Sequence, residues 1–225
     1  MCLFQVSPPA NAARPLVTDD ARLTDPHACQ LETWRKALKG GWEFWAYPAC
    51  NPNGNLEITL GGNSIPDGSG GRASDFVLQG KTLFKPLETD SWGWGLAAGA
   101  VWHGDPAPGQ PSQAGYYLYL PFSVSFAGDR TVVHVNIGAN DNRDTGQSAM
   151  TWGLGTELNF TPRFAIIAET YGDDRSNQYY QAGVRFWVIP GRFQIDATRG
   201  AQAGDFGATA WWTIGVRLIT PPFLK

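Results

Sequence analysis

A chain of 225 residues with a formal net charge of -3 has the length of one domain or one barrel and offers no reason to expect nucleic acid as a partner. Charged residues make up 16% against an ordinary ~25%, while aromatics reach 13% with 10 Trp, a balance that leans toward contact with lipid. No run of about 18 apolar residues is present, which excludes a membrane helix and leaves a closed barrel as the way to cross a bilayer with every backbone group satisfied.

Residues 1–12 read as a signal-peptide remnant or a disordered tail, because Ala10-x-Ala12 has the small-residue spacing of a signal-peptidase site. Residues 13–28 hold Pro15, Pro26 and several acids, and read as an extended periplasmic lead-in rather than a folded element. The barrel itself is expected over 29–225. Its first hairpin is centred on Lys39-Gly40. One register there sets Cys29 opposite Cys50, Trp34 opposite Trp45 and Lys36 opposite Glu43, so a Cys29–Cys50 disulfide and an oxidising compartment are expected. Cys2 is the odd cysteine and belongs to the removed or disordered start.

After the turn at Asn51-Pro52-Asn53-Gly54, Leu56, Ile58 and Leu60 alternate with Glu57 and Thr59. Phe76, Leu78 and Phe84 then alternate with Asp75, Gln79, Lys81 and Lys85. The next strand puts Trp92 and Trp102 ten residues apart on one face, about 25 Å along the membrane normal for a strand tilted ~40°. That is close to the height of an apolar membrane band. Tyr116 to Phe126 and Val133 to Ala139 follow, the second with His134 and Asn136 on its polar face.

From Met150 to Phe223, five strands follow one another with tight turns, and each carries one charge on the face opposite its apolar residues: Glu157, Glu169, Arg185, Asp196 and Arg217. Those charges fall at similar heights, so they are expected to form a cross-strand ladder of opposite signs on one interior surface. Tyr117, Tyr119, Gln181 and Gln194 share that polar face, whereas Phe126, Phe160, Phe164, Phe193 and Trp212 join Trp92 and Trp102 as lipid-interface aromatics. The fold expected is therefore an all-β, single antiparallel up-and-down transmembrane barrel of about twelve strands. A period of two does not say which face is inside, and a soluble lipocalin-like ligand-binding barrel would turn the apolar set inward.

Several stretches resemble a family of proteobacterial outer-membrane barrels catalogued as phenol-degradation pathway proteins. They are Ala13-Arg-Pro-Leu-Val-Thr-Asp-Asp20, Pro48-Ala-Cys-Asn-Pro-Asn-Gly-Asn-Leu-Glu57, Thr161-Pro162, Glu169-Thr-Tyr-Gly-Asp173 and Pro221-Pro222-Phe223. The resemblance implies a transmembrane barrel and a passive route for small solutes. The final strand, with Thr213, Gly215, Val216 and Leu218, is similar to a barrel-assembly signal, which implies the barrel-assembly machinery as a partner. Membrane lipid, lipopolysaccharide and a small-molecule solute complete the expected partners. The acids Asp141, Asp144, Asp173, Asp174 and Asp205 in outer loops are candidates to bridge lipopolysaccharide through divalent ions.

An enzyme is not expected. An outer-membrane lipid hydrolase would use His134 with Asn136 or a nearby Ser, but that chemistry needs the pair to face the bilayer, and His134 falls on the lumen face. His27 and His103 are isolated, so no metal-ligand cluster and no cofactor are expected.

Overall fold

The computed structural model describes residues 16–68, 70–106, 109–175 and 178–224. The signal-like start and Cys2 lie outside the described residues. Among those described, the strands are β1 (Cys29–Leu38), β2 (Gly41–Cys50), β3 (Glu57–Pro66), β4 (Arg72–Lys85), β5 (Trp92–His103), β6 (Gln113–Phe126), β7 (Thr131–Asn142), β8 (Gln147–Asn159), β9 (Phe164–Asp173), β10 (Gln178–Ile189), β11 (Phe193–Gln202) and β12 (Trp211–Ile219). Every neighbouring pair is antiparallel, and β12 closes onto β1, so the twelve strands form one barrel with no open edge.

Alternation decides which side chains meet which medium. Leu60 and Ile214 are 62% and 60% exposed on the outer wall, whereas Gln194 and Asp196 are 0% and 1% exposed inside. The apolar stripe thus faces outward, which overturns the soluble lipocalin-like alternative: an apolar band around the whole wall needs acyl chains, not water, against it. The first hairpin forms in the expected register, with Cys29 opposite Cys50, Trp34 opposite Trp45 and Lys36 opposite Glu43. The cysteines are joined as a disulfide, the two indoles stack with centroids 5.6 Å apart, and Lys36 Nζ lies 3.7 Å from Glu43. Gly40, at φ 97°, supplies the left-handed residue of that two-residue turn.

One reading of the sequence needs correction. Lys85 does not follow Lys81 onto the inner face, because a bulge between Leu83 and Lys85 shifts the register and leaves Lys85 Nζ 3.8 Å from the centre of the outward Trp92 ring. The segment before β1 lies inside the barrel. It has no helix or strand, as expected of an extended stretch, yet Leu16, Thr18, Asp19, Ala21 and Thr24 are all buried. In chain order the segment descends inside the wall from Glu169, which meets Val17 and Thr18, to the end that holds β1's start and β12's finish, where Phe223 N–H donates to His27 O at 2.8 Å.

Candidate functional site

The bore is built around that inserted segment, residues 16–28. Its backbone has no ladder of its own, so its N–H groups must be satisfied by the wall. The Glu169 carboxylate takes two of them, accepting from Val17 and Thr18 at 2.7 Å each. Asn136 Oδ1 accepts from Asp19, Ser123 Oγ from Ala21 at 2.9 Å, and Glu57 Oε2 from Thr24 at 2.8 Å. Each acceptor sits on an inward position of a different strand. Room for the segment comes from glycine: a Cβ at Gly153 would come within 2.6 Å of Thr18 Oγ1, and one at Gly155 within 3.3 Å of Leu16.

Charge is handled in three groups inside the wall. Lys81 Nζ lies 2.8 Å from Asp19 Oδ1 and 3.5 Å from Asp20 Oδ1, and the Tyr119 hydroxyl donates to Asp19 Oδ2 at 2.7 Å. Tyr117 and Tyr119 both donate to Gln79 Oε1, which ties the inserted acids to two strands of the wall. On the opposite side Arg185 Nη1 bonds Glu157 Oε1 at 2.6 Å, and Asp196 faces Arg185 in the register of β10 and β11. Arg217 Nε lies 3.3 Å from Glu32 and donates to Gln30 Oε1 at 2.8 Å.

The structure therefore places all five expected ladder residues on the inner wall, but not as one ladder. Glu157 and Arg185 stand on β8 and β10 with β9 between them, so their contact spans the curve of the bore rather than a strand pair. Glu169 holds the inserted backbone and Gln181 instead of an arginine. Gln181 also accepts from Thr198 at 3.0 Å, and Gln194, fully buried, faces Arg217 and Trp187 across its two strand pairs. The residues missed in the sequence are Asp19, Asp20 and Glu32, with Lys81 and Glu57 seen only as members of polar faces. An aperiodic segment carries no signal for where it will dock.

His134 faces the lumen, as its place in the alternation requires. Its Nδ1 lies 2.8 Å from Ser123 Oγ and its Nε2 3.6 Å from Glu157 Oε1. Both Ser123 and His134 are 0% exposed, and Ser123 already accepts the Ala21 N–H, so the group is closed to a lipid ester arriving from the bilayer. The seven interface aromatics all lie on the outward face, with Trp92, Phe126, Phe160, Phe164 and Trp212 exposed and Trp102 and Phe193 half-buried. The loop acids are dispersed: Asp141 pairs with Arg143, Asp144 with His103, and Asp173, Asp174 and Asp205 accept backbone N–H groups. Among the described residues no three His, Cys, Asp or Glu are arranged to hold a metal ion.

With the segment in place the bore keeps a small cavity of about 30 Å³, between Asp19, Asp20 and Arg22 on one side and Glu32, Glu57 and Arg217 on the other. That is room for roughly two waters.

A closed wall that is apolar outside, polar inside and threaded by its own N-terminal segment defines a membrane-spanning β-barrel. The sequence matches the family described as "Uncharacterised conserved protein UCP029691" over residues 1–219, and the chain belongs to that family. No curated protein matches it. Among solved structures it is similar to the KdgM porin in complex with disordered oligogalacturonate, at TM-score 0.66 and 9% identity over 84% of this chain and 98% of that one. The NanC porin aligns at TM-score 0.61 and 10% identity over 84% and 98%. The COG4313 outer membrane channel from Pseudomonas putida F1 aligns at 0.58 and 9% over 89% and 98%. These likenesses are of fold, and none of them bears on the cataloguing with phenol degradation.

Proposed function

We propose that this protein is a bacterial outer-membrane barrel through which small solutes cross passively, along a bore that its own N-terminal segment narrows. The observation that carries the reading is how the segment is held. Leu16 and Ala21 are buried, but its backbone and its acids are held by hydrogen bonds and ion pairs to Glu169, Asn136, Ser123, Glu57 and Lys81, groups that water can satisfy in turn if the segment moves. A plug meant only to fill a lumen would be served by apolar packing. The longest connections, 104–112 and 203–210, lie at the end away from the inserted segment, which supports that end as the outer face. The final strand, from Trp211 to Ile219, is the segment for the barrel-assembly machinery to recognise.

The inner wall supports a reading of the solute class. Trp34, Trp45 and Tyr47 group on β1 and β2, and Tyr171, Tyr179 and Trp211 on β9, β10 and β12, so aromatic rings pack along the inner wall. Together with the resemblance to barrels catalogued with phenol degradation, this favours small ring-bearing solutes.

Planar-bilayer recording of the purified protein beside a variant lacking residues 16–24 tests the reading. The intact barrel is expected to give a small conductance and the shortened one a conductance several-fold larger. Silence from both would remove transport and leave a structural role in the envelope.

A further inference from the structure

Three arginines stand on the outward wall, where the surface is otherwise apolar. Arg35 lies on β1, Arg72 opens β4 and Arg199 lies on β11, each exposed and each within three residues of the strand end toward the longer loops. Every guanidinium rests on an outward indole. Arg35 Cζ and Arg72 Cζ lie 4.7 Å and 3.9 Å from the Trp42 ring centre, on a shared ring, and Arg199 Cζ lies 5.2 Å from that of Trp212. The register sets Arg199 opposite Trp212, Trp212 opposite Ala37 and Ala37 opposite Trp42, so the belt is continuous across neighbouring strands.

No carboxylate serves this belt. The outward positions of β11, β12 and β1 to β4 carry no Asp or Glu, and among the described residues none of the three arginines makes an ion pair. Arg72 donates from Nε to Ser64 Oγ at 2.8 Å and from its two Nη atoms to the carbonyls of Trp42 and Ser64, neutral acceptors that take up most of its donors, fix the side chain and leave its charge unbalanced. Among the described residues the other end of the wall offers one cation on a ring, Lys85 over Trp92. Cation–π contact orients a guanidinium but does not neutralise it, and a low-dielectric wall favours an anion beside it. The planar forks of Arg35 and Arg199 suit phosphate, which they can bind in two-point fashion, while Arg72 adds its charge beside Arg35.

We propose that this belt binds the phosphorylated headgroup of the outer-leaflet glycolipid, a sugar-based lipid with more than one phosphate, its acyl chains lying along Phe44 and Ile214 below. Arg35 and Arg72, 4.7 Å and 3.9 Å from the centre of one ring, form one cationic station, and Arg199 on β11 forms a second, about 10 Å from β1 at the usual strand spacing, more than one phosphodiester can span. A lipid with several phosphates matches that spread. The assignment rests on the reading above that the longer-loop end faces outward.

Native mass spectrometry of the full-length protein in detergent tests it, with diphosphoryl lipid A, monophosphoryl lipid A and phosphatidylglycerol as probes. The wild type is expected to retain diphosphoryl lipid A at least tenfold better than phosphatidylglycerol, with the monophosphoryl form between. The triple variant R35Q/R72Q/R199Q is expected to lose that retention at least tenfold, while R163Q, in the turn at the opposite end, changes nothing. Equal retention by wild type and triple variant overturns the proposal, and so does a wild type that does not prefer the diphosphoryl lipid. Heat-modified gel mobility reports folding; should the triple variant not fold, R35Q alone, which touches no described hydrogen-bond partner, is expected to lose about threefold. A barrel that binds the lipid but never conducts would fail the channel reading and leave this one standing.

Discussion

Lys81 is the residue on which the inserted segment most depends. Its ammonium is the cation shared by Asp19 and Asp20, and its side chain is only 4% exposed. Removing one member of a buried ion pair costs about 3–5 kcal/mol, because the other is left in a medium that cannot solvate it. Lys81→Met is therefore expected to release the segment, seen as rapid tryptic cleavage after Arg22 in folded protein where the wild type resists. Asp129, in the turn between β6 and β7, shows a milder effect outside the membrane-spanning wall. The hydroxyls of Ser125 and Thr89 donate to its carboxylate and hold its pKa below the usual value. The contribution is present above the unfolded-state pKa and is lost as pH falls through the lowered folded one. Asp129→Asn, which tolerates the left-handed backbone at φ 64°, is expected to lower Tm slightly near neutrality, with the difference from wild type vanishing in strong acid.

At the scale of elements, β8 shows how one strand serves two media. Its outward positions, Trp152, Leu154 and Leu158, meet lipid, while Gly153 and Gly155 leave the inner surface bare where the segment lies. Glycine there is a matter of space: the nearest obstacle to a side chain is the segment, not the wall. Gly153→Val is expected to displace residues 16–18 while the barrel still closes. Single-channel recording should show conductance rising toward that of the variant lacking residues 16–24; an unchanged conductance would mean the wall yields instead. The first hairpin was fully legible, since three favourable pairs fell into one register of a two-residue turn. The bulge at Leu83 was not, because an extra residue in a strand leaves the local composition unchanged and only the pairing with β5 reveals it.

The whole molecule is a boundary between two solvents, and substitutions should divide accordingly. Leu154→Arg places a charge on the mid-wall outer face and is expected to cost about 2–4 kcal/mol. Chemical unfolding in lipid vesicles would measure it, and a loss well under 1 kcal/mol would argue that this surface does not lie in the bilayer core.

What the sequence determined by itself was the wall: strand positions, the two faces, the disulfide pair and the polar identity of Glu157, Glu169, Arg185, Asp196 and Arg217. All of these follow from a period of two, which is written into the chain residue by residue. Only the tertiary structure decided which face is inside, that Glu157 reaches Arg185 across an intervening strand, and that Asp19 and Asp20 lie in the bore. Those outcomes depend on closure, which brings distant strands around a common axis, and on an aperiodic segment whose partners are spread from Glu57 to Glu169.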